Sequence, residues 1–146
     1  RMMKLRSMVP NADSLLEAHL AADPEARAEW DRDQKLRNDP RITPIGRIIR
    51  KASFDELPQL WNVLKGDMAL VGPRPMMVEQ QDLYPGSAYY ALRPGLTGPW
   101  QVSARNDSSF AERSHYDTGY LRDISFTTDL RIIAKTVDVV ARGTGY

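Results

Sequence analysis

The sequence predicts an α+β fold: a mostly helical, irregular domain with a few short strands, its proline-rich loops gathered around one cleft. Capped helical patterns recur along the chain, while strand-like runs stay short. Two proline-locked turns, Gly72-Pro73-Arg74-Pro75 and Arg93-Pro94-Gly95-Leu96-Thr97-Gly98-Pro99, each present an arginine between the regular elements. At 146 residues the chain is long enough for a single domain, 1–146, with a modest core.

Residues 1–6, Arg-Met-Met-Lys-Leu-Arg, read as the middle of a strand over about 2–8, and the chain reads as part of a longer protein. Residues 11–39 are polar and acidic and read as a surface excursion of two helices, about 13–22 and 24–36. Asp23 fits the N-cap of the second helix and Pro24 its first residue, because a proline lacks the N–H that would go unpaired there. Residues 41–54 change character, with Arg41, Arg47, Arg50 and Lys51 and no acidic residue.

Leu57, Leu60, Trp61 and Leu64 then recur at helical spacing and predict one buried face, Trp61 included. Ser53 and Glu56 have capping-box spacing, while Pro58 favours a later start with Asp55 as cap or first residue. Gly66 reads as the helix stop. Met68 to Val71 and 100–103 read as short strands, and about 76–83 as helical. Ser109 and Glu112 open a helix through about Leu121. The last helix spans about 128–142, with Leu130, Ile133, Val137 and Val140 predicted inward.

Composition narrows the chemistry. There is no cysteine, which excludes disulfides, thiolate catalysis and cysteine metal sites. His19 and His115 are too few for a zinc centre, so any metal would be a hard ion such as Mg2+, held by carboxylates. No apolar run approaches the roughly 20 residues a membrane span needs. A net charge of +1 points to no partner by itself.

Asp55-Glu56 is the pair with chemical promise. Alone, such a pair mostly stabilises a helix start. Here a basic stretch precedes it, with Arg47 and Arg50, and Arg74, Arg93 and Arg105 follow in or near rigid loops. Arginines bind phosphate oxygens in pairs, and a carboxylate among them can attack phosphorus or hold magnesium.

Lys4-Leu5-Arg6-Ser7-Met8, the run from Ser53 to Met68, Val71-Gly72-Pro73-Arg74-Pro75, Arg93 to Gly98, Gln101-Val102 and Arg105 together resemble the bacterial sugar transferases, or monotopic phosphoglycosyl transferases. The resemblance runs from Lys4 to about Val139. It implies that Asp55 is the nucleophile on the sugar-proximal phosphate of a UDP-sugar, releasing UMP and keeping a phosphosugar on the aspartate. A polyprenyl (undecaprenyl) phosphate would then take that group, in the first membrane step of exopolysaccharide, capsule or O-antigen synthesis. It implies that Glu56, with Asp55, holds Mg2+. Arg50, Arg74, Arg93, Arg105 and Lys4 would meet phosphate or nucleotide, with Arg47, Asp117 and Asp129 as further candidates. It also implies work at the cytoplasmic face of the bacterial plasma membrane, attachment through a hydrophobic segment that this sequence lacks, and no nucleic-acid partner. The competing reading is a non-catalytic anion-binding module for nucleic acid or anionic lipid, built on the stretch from Arg41 to Lys51.

Overall fold

In the computed structural model, residues 2–103 and 108–142 are described. The α+β, mostly helical reading holds: eight α-helices and two 3₁₀ turns surround one pair of short strands among these residues.

Helices α1 (Ala12–Ala22) and α2 (Pro24–Asp33) form a hairpin with its own small core of Leu20, Ala26 and Leu36, flanked by Leu16 and Trp30. Asp23 caps α2 as expected, its Oδ1 accepting from the N–H groups of Glu25 and Ala26 at 2.9 and 3.1 Å. The helix stops at Gln34, which turns left-handed at φ 54°, so it is shorter than predicted. Arg41 ties the hairpin down: it pairs with buried Asp39 at 2.7 Å, and its guanidinium stacks 5.1 Å from the centre of the Trp30 ring.

Thr43 caps α3 (Pro44–Lys51), its hydroxyl accepting from Gly46 N–H at 2.9 Å. A 3₁₀ turn (Phe54–Glu56) and α4 (Gln59–Leu64) follow, and Gly66 ends that run at φ +80°. The Ser53 capping box does not form. Ser53 sits at φ 56° with no side-chain cap bond, and its carbonyl receives the Glu56 N–H instead. Asp55 is therefore in the tight turn ahead of α4 rather than at its first residue.

Strands β1 (Ala69–Val71) and β2 (Gly95–Thr97) pair in parallel, Ala69 opposite Gly95 and Val71 opposite Thr97. A second 3₁₀ turn (Val78–Leu83) and α5 (Ala88–Ala91) connect them. The strand expected at 100–103 is instead helix α6 (Pro99–Ser103). Pro99 cannot donate to a ladder and suits a first helical residue, so the strand lies before it. The strand expected over 2–8 is an extended strap with one bridge, Met8 to Ile42. Its other bonds go to turn and helix-end groups: Leu5 N–H to Asp55 O at 3.0 Å, and Met3 N–H to Asn62 Oδ1 at 2.9 Å. Among the described residues there is no neighbouring strand for it to join.

Helix α7 (Arg113–Asp123) begins just after the predicted Ser109–Glu112 contact, which forms at 2.7 Å from Ser109 N–H to the Glu112 carboxylate. Helix α8 (Phe126–Ala141) is capped by Ser125 and packs on both strands. Val71, Tyr120 and Ile132 form the main core with Leu92, Val102 and Ile133. Each such buried apolar side chain stabilises the fold by about 1.5–3 kcal/mol.

Two helix faces are inverted relative to expectation. On α4 the buried residues are Gln59 and Asn62, while Leu57, Leu60, Trp61 and Leu64 are exposed, Trp61 at 56% and Leu64 at 78%. Asn62 is inward because its side chain receives Met3 N–H and its carbonyl receives Asp67 and Met68. On α8 only Ile133 of the predicted row is partly covered; Leu130, Val137 and Val140 are exposed. Its inward side uses Ile132 with Asp129 and Thr136, which reach the hydroxyls of Tyr120 and Thr97 at 2.6 and 2.7 Å.

Candidate active site

The strap and the Gly72–Pro75 turn meet over the Asp55 turn. Asp55 is 3% exposed, and its Oδ2 lies 2.9 Å from Lys4 Nζ. The same ammonium is 3.4 Å from Glu56 Oε1. That oxygen also accepts from Arg74 Nη2 at 3.0 Å. Two carboxylates and two cations thus share one spot. A narrow cavity of about 30 Å³ opens beside them, lined by Lys4, Glu56, Gln59, Arg74, Gly95 and Leu96 among others.

Local chemistry places each group. Leu5 N–H bonds the Asp55 carbonyl, which sets Lys4 above the pair. Further along the strap, Ser7 is clasped by Thr43 N–H at 3.1 Å and by Arg50 Nε, which donates to Ser7 Oγ at 2.8 Å. Gly72 lets the Arg74 turn close onto β2: a Cβ there would lie 2.4 Å from Arg93 O. With that clearance, Gly72 N–H reaches Thr97 O at 2.9 Å and Gly95 N–H reaches Pro73 O at 2.8 Å. The Arg74 turn is therefore an extension of the sheet rather than a free loop.

The electrostatics favour an ionised Glu56. Burial works against its charge, but Arg74 and then Lys4 outweigh that and hold its carboxyl below the ordinary 4.5. Burial lowers the Arg50 guanidinium, with Asp55 opposing.

The structure therefore unites Lys4, Asp55, Glu56 and Arg74, with Arg50 close enough to feel the Asp55 charge. Arg93 contributes its carbonyl against Gly72 while its side chain is exposed. Arg47 is exposed on α3. Arg105 lies outside the described residues. Asp117 and Asp129 serve packing instead of lining the cavity. Asp117 is 2% exposed and accepts from Tyr84 OH at 2.9 Å; Asp129 accepts from Tyr120 OH at 2.6 Å. Burial raises the Asp117 carboxyl above the ordinary 3.8, with Tyr84 and Arg113 opposing.

Sequence reading missed two residues near this centre. Gln59, one turn after Asp55, is 3% exposed and lines the cavity; its i+4 spacing was the available signal. Arg113 is 4% exposed, and nothing local marks a helix arginine for burial.

Magnesium keeps several waters and takes one or two carboxylates plus substrate phosphates. Glu56, which lines the small cavity, and the adjacent Asp55 are carboxylates of the type that coordination would use. Among the described residues no group of three or more histidine, cysteine, aspartate or glutamate side chains forms a ready metal cage.

A strap lysine, a carboxylate pair and an arginine turn thus meet at one place on a small helical domain. The bacterial sugar transferase family profile matches residues 1–143, and the chain belongs to that family. It is 52% identical to a UDP-galactose-lipid carrier transferase of Erwinia amylovora, over 98% of this chain and 30% of that protein. It is likewise 52% identical to an undecaprenyl-phosphate galactose phosphotransferase of Salmonella typhimurium, over 97% of this chain and 30% of that protein. An exopolysaccharide production protein, ExoY, of Rhizobium meliloti is 45% identical over 98% of this chain and 64% of its own length. The chain thus spans 30% of the length of the first two relatives.

Proposed function

We propose that this domain moves a sugar 1-phosphate from a UDP-sugar to undecaprenyl phosphate, with Asp55 as the covalent carrier. The observation that carries the reading is the convergence of Asp55 and Glu56 with Lys4 and Arg74 in one cleft. An Asp55 carboxylate oxygen attacks the sugar-proximal phosphorus. The bond from that phosphorus to the bridging oxygen breaks, and UMP leaves with the electron pair. An oxygen of the acceptor phosphate then attacks the same phosphorus. The acyl-phosphate bond breaks, Asp55 returns as a carboxylate, and no net proton is required.

Both partners are anionic, so attack needs charge drawn off the diphosphate. Lys4 and Arg74, which grip the carboxylates in the free site, would shift their hydrogen bonds to phosphate oxygens as the donor enters. Asp55 and Glu56 would hold Mg2+, which neutralises diphosphate charge when bound.

The exposed apolar face suits a lipid-borne acceptor. Ile45 and Ile48 of α3, Phe54, and Leu57, Leu60, Trp61 and Leu64 of the next turn and α4 are all exposed, with Arg47 and Lys51 among them. Apolar side chains edged by basic ones are what an anionic membrane surface attracts. No described helix is long and apolar enough to cross a membrane. The domain would instead rest on the cytoplasmic face of the bacterial membrane, as part of exopolysaccharide-type glycan assembly. Galactose is the first sugar to try, since it stands in the names of two relatives.

The test is UMP release from a panel of UDP-sugars by the full-length parent, with magnesium and undecaprenyl phosphate, against Asp55→Asn. Magnesium-dependent release that vanishes in the variant supports the reading. Release that persists in Asp55→Asn rejects the covalent mechanism. An anion-binding module would release nothing and would tolerate the substitution.

A further inference from the structure

The turn that carries Arg74 is held from behind by groups that do not touch the two carboxylates. The Arg113 guanidinium lies over two aromatic rings, 5.0 Å from the centre of Trp100 and 4.8 Å from that of Phe110. Its Nη2 donates to the main-chain carbonyl of Arg74. Two residues on, Met76 N–H reaches the hydroxyl of Tyr89 at 3.4 Å. Asp117, one helical turn beyond Arg113, feels its charge and is fixed by Tyr84 OH at 2.9 Å.

A buried charge is weak evidence for stability, because an apolar side chain packs such a place as well. What a guanidinium adds is a directed donor to the Arg74 backbone and a positive charge behind the Arg74 side chain. Burial, and then the nearby Arg74 charge, pull the Arg113 guanidinium down to about 10, so it stays charged at neutral pH. Like charges repel, and Arg74's outward partner is Glu56 at 3.0 Å.

We infer that Arg113 is a positioning residue for Arg74: its hydrogen bond fixes the backbone of the turn, and its charge turns the Arg74 guanidinium toward Glu56 and the donor phosphate. Asp117 and Tyr84 keep the Arg113 charge in place. The donor phosphate enters this inference through the function proposed above; the positioning of Arg74 on Glu56 does not depend on it.

The experiment is a double-mutant cycle in the full-length parent: Arg113→Met, Arg74→Met and the pair, with Arg113→Lys as the conservative variant. UMP release is read as kcat/KM, with thermal unfolding alongside. Arg113→Met is expected to lower kcat/KM about 10- to 100-fold, the scale of loss from a misplaced substrate-binding group. In the Arg74→Met background it should cost almost nothing more, because its effect passes through a side chain already removed. Arg113→Lys should recover part of the loss. A loss of equal size in both backgrounds overturns the inference, since a merely structural arginine would behave that way. If Arg113→Met fails to fold, the same cycle run with Arg113→Lys decides. If the unaltered protein releases no UMP from any donor, the function fails separately. A crystal structure of Arg113→Met then judges the positioning: Arg74 swung off Glu56 supports it, and an unchanged 3.0 Å pair overturns it.

Discussion

Lys4 Nζ lies 2.9 Å from the Asp55 carboxylate, although the two are far apart in the sequence. The aspartate side chain is 4% exposed and the lysine 30%. Removing the lysine leaves a nearly buried carboxylate short of a partner. Lys4→Met should therefore destabilise the domain by roughly 1–2 kcal/mol, less than a fully buried pair because Lys4 keeps some water. Lys4→Met with Asp55→Asn should restore most of that loss. Urea unfolding of the two single variants and the pair measures it; simple additivity would show that the ion pair has no structural weight.

The contrast between Gly72 and Gly119 gives a second test. A Cβ at Gly72 would meet Arg93 O at 2.4 Å and Gly95 N at 3.0 Å, both backbone atoms that cannot give way. Gly72→Ala should cost about 1–3 kcal/mol or more and abolish UMP release by displacing the Arg74 turn. At Gly119, within α7, nothing among the described residues lies within 4 Å of the added atom. Gly119→Ala should stabilise by about 0.5–1 kcal/mol through helix propensity alone. Thermal unfolding of both variants checks the pair; a tolerated Gly72→Ala would mean that the turn is not clamped to β2.

What could be read in advance was what local chemistry decides. Asp23 and Pro24 mark a helix start by their own hydrogen-bonding capacity, and Gly66 marks a stop by its left-handed backbone. Periodicity located the apolar stripes of α4 and α8 but not the direction they face. The inward side of α4 is set by Asn62, whose partners Met3 and Asp67 are supplied by other segments. Lys4, Asp55, Glu56 and Arg74 were legible as a motif, whereas their meeting point depends on the strap crossing the Asp55 turn. Arg113 was invisible because its burial depends on Trp100 and Phe110, both outside its own helix.

Acid should expose the carboxylate bookkeeping. Glu56 is held below 4.5 in the fold by Arg74 and Lys4 against the pull of burial. Asp39 is held below 3.8 by Arg41, also against burial. Such groups bind fewer protons folded than unfolded, so their stabilisation is present above the ordinary values and is lost as pH falls through the folded ones. Burial raises Asp117, so it acts with the opposite sign. Urea midpoints between about pH 6 and 3 should fall with acid. Glu56→Gln should flatten that fall, and Asp117→Asn should steepen it. A profile unchanged by Glu56→Gln would show that the Arg74 contact does not bias its ionisation.

The inverted α4 face makes the last prediction. Trp30 and Trp100 are half-buried, and Trp61 is the exposed tryptophan, so Trp61 can report directly on what covers this surface. With vesicles of anionic phospholipid, tryptophan emission should shift to the blue, and Trp61→Phe should remove the shift. Ile48→Asp and Leu64→Asp, at side chains 71% and 78% exposed, should leave unfolding within about 0.5 kcal/mol. They should nevertheless weaken vesicle binding, because each removes apolar contact and adds a charge that anionic lipid repels. High salt should weaken binding of the unaltered protein only in part, since apolar contact is not screened. Binding abolished by salt alone would assign the interaction to Arg47 and Lys51. An unshifted Trp61 spectrum would remove the membrane from this face altogether.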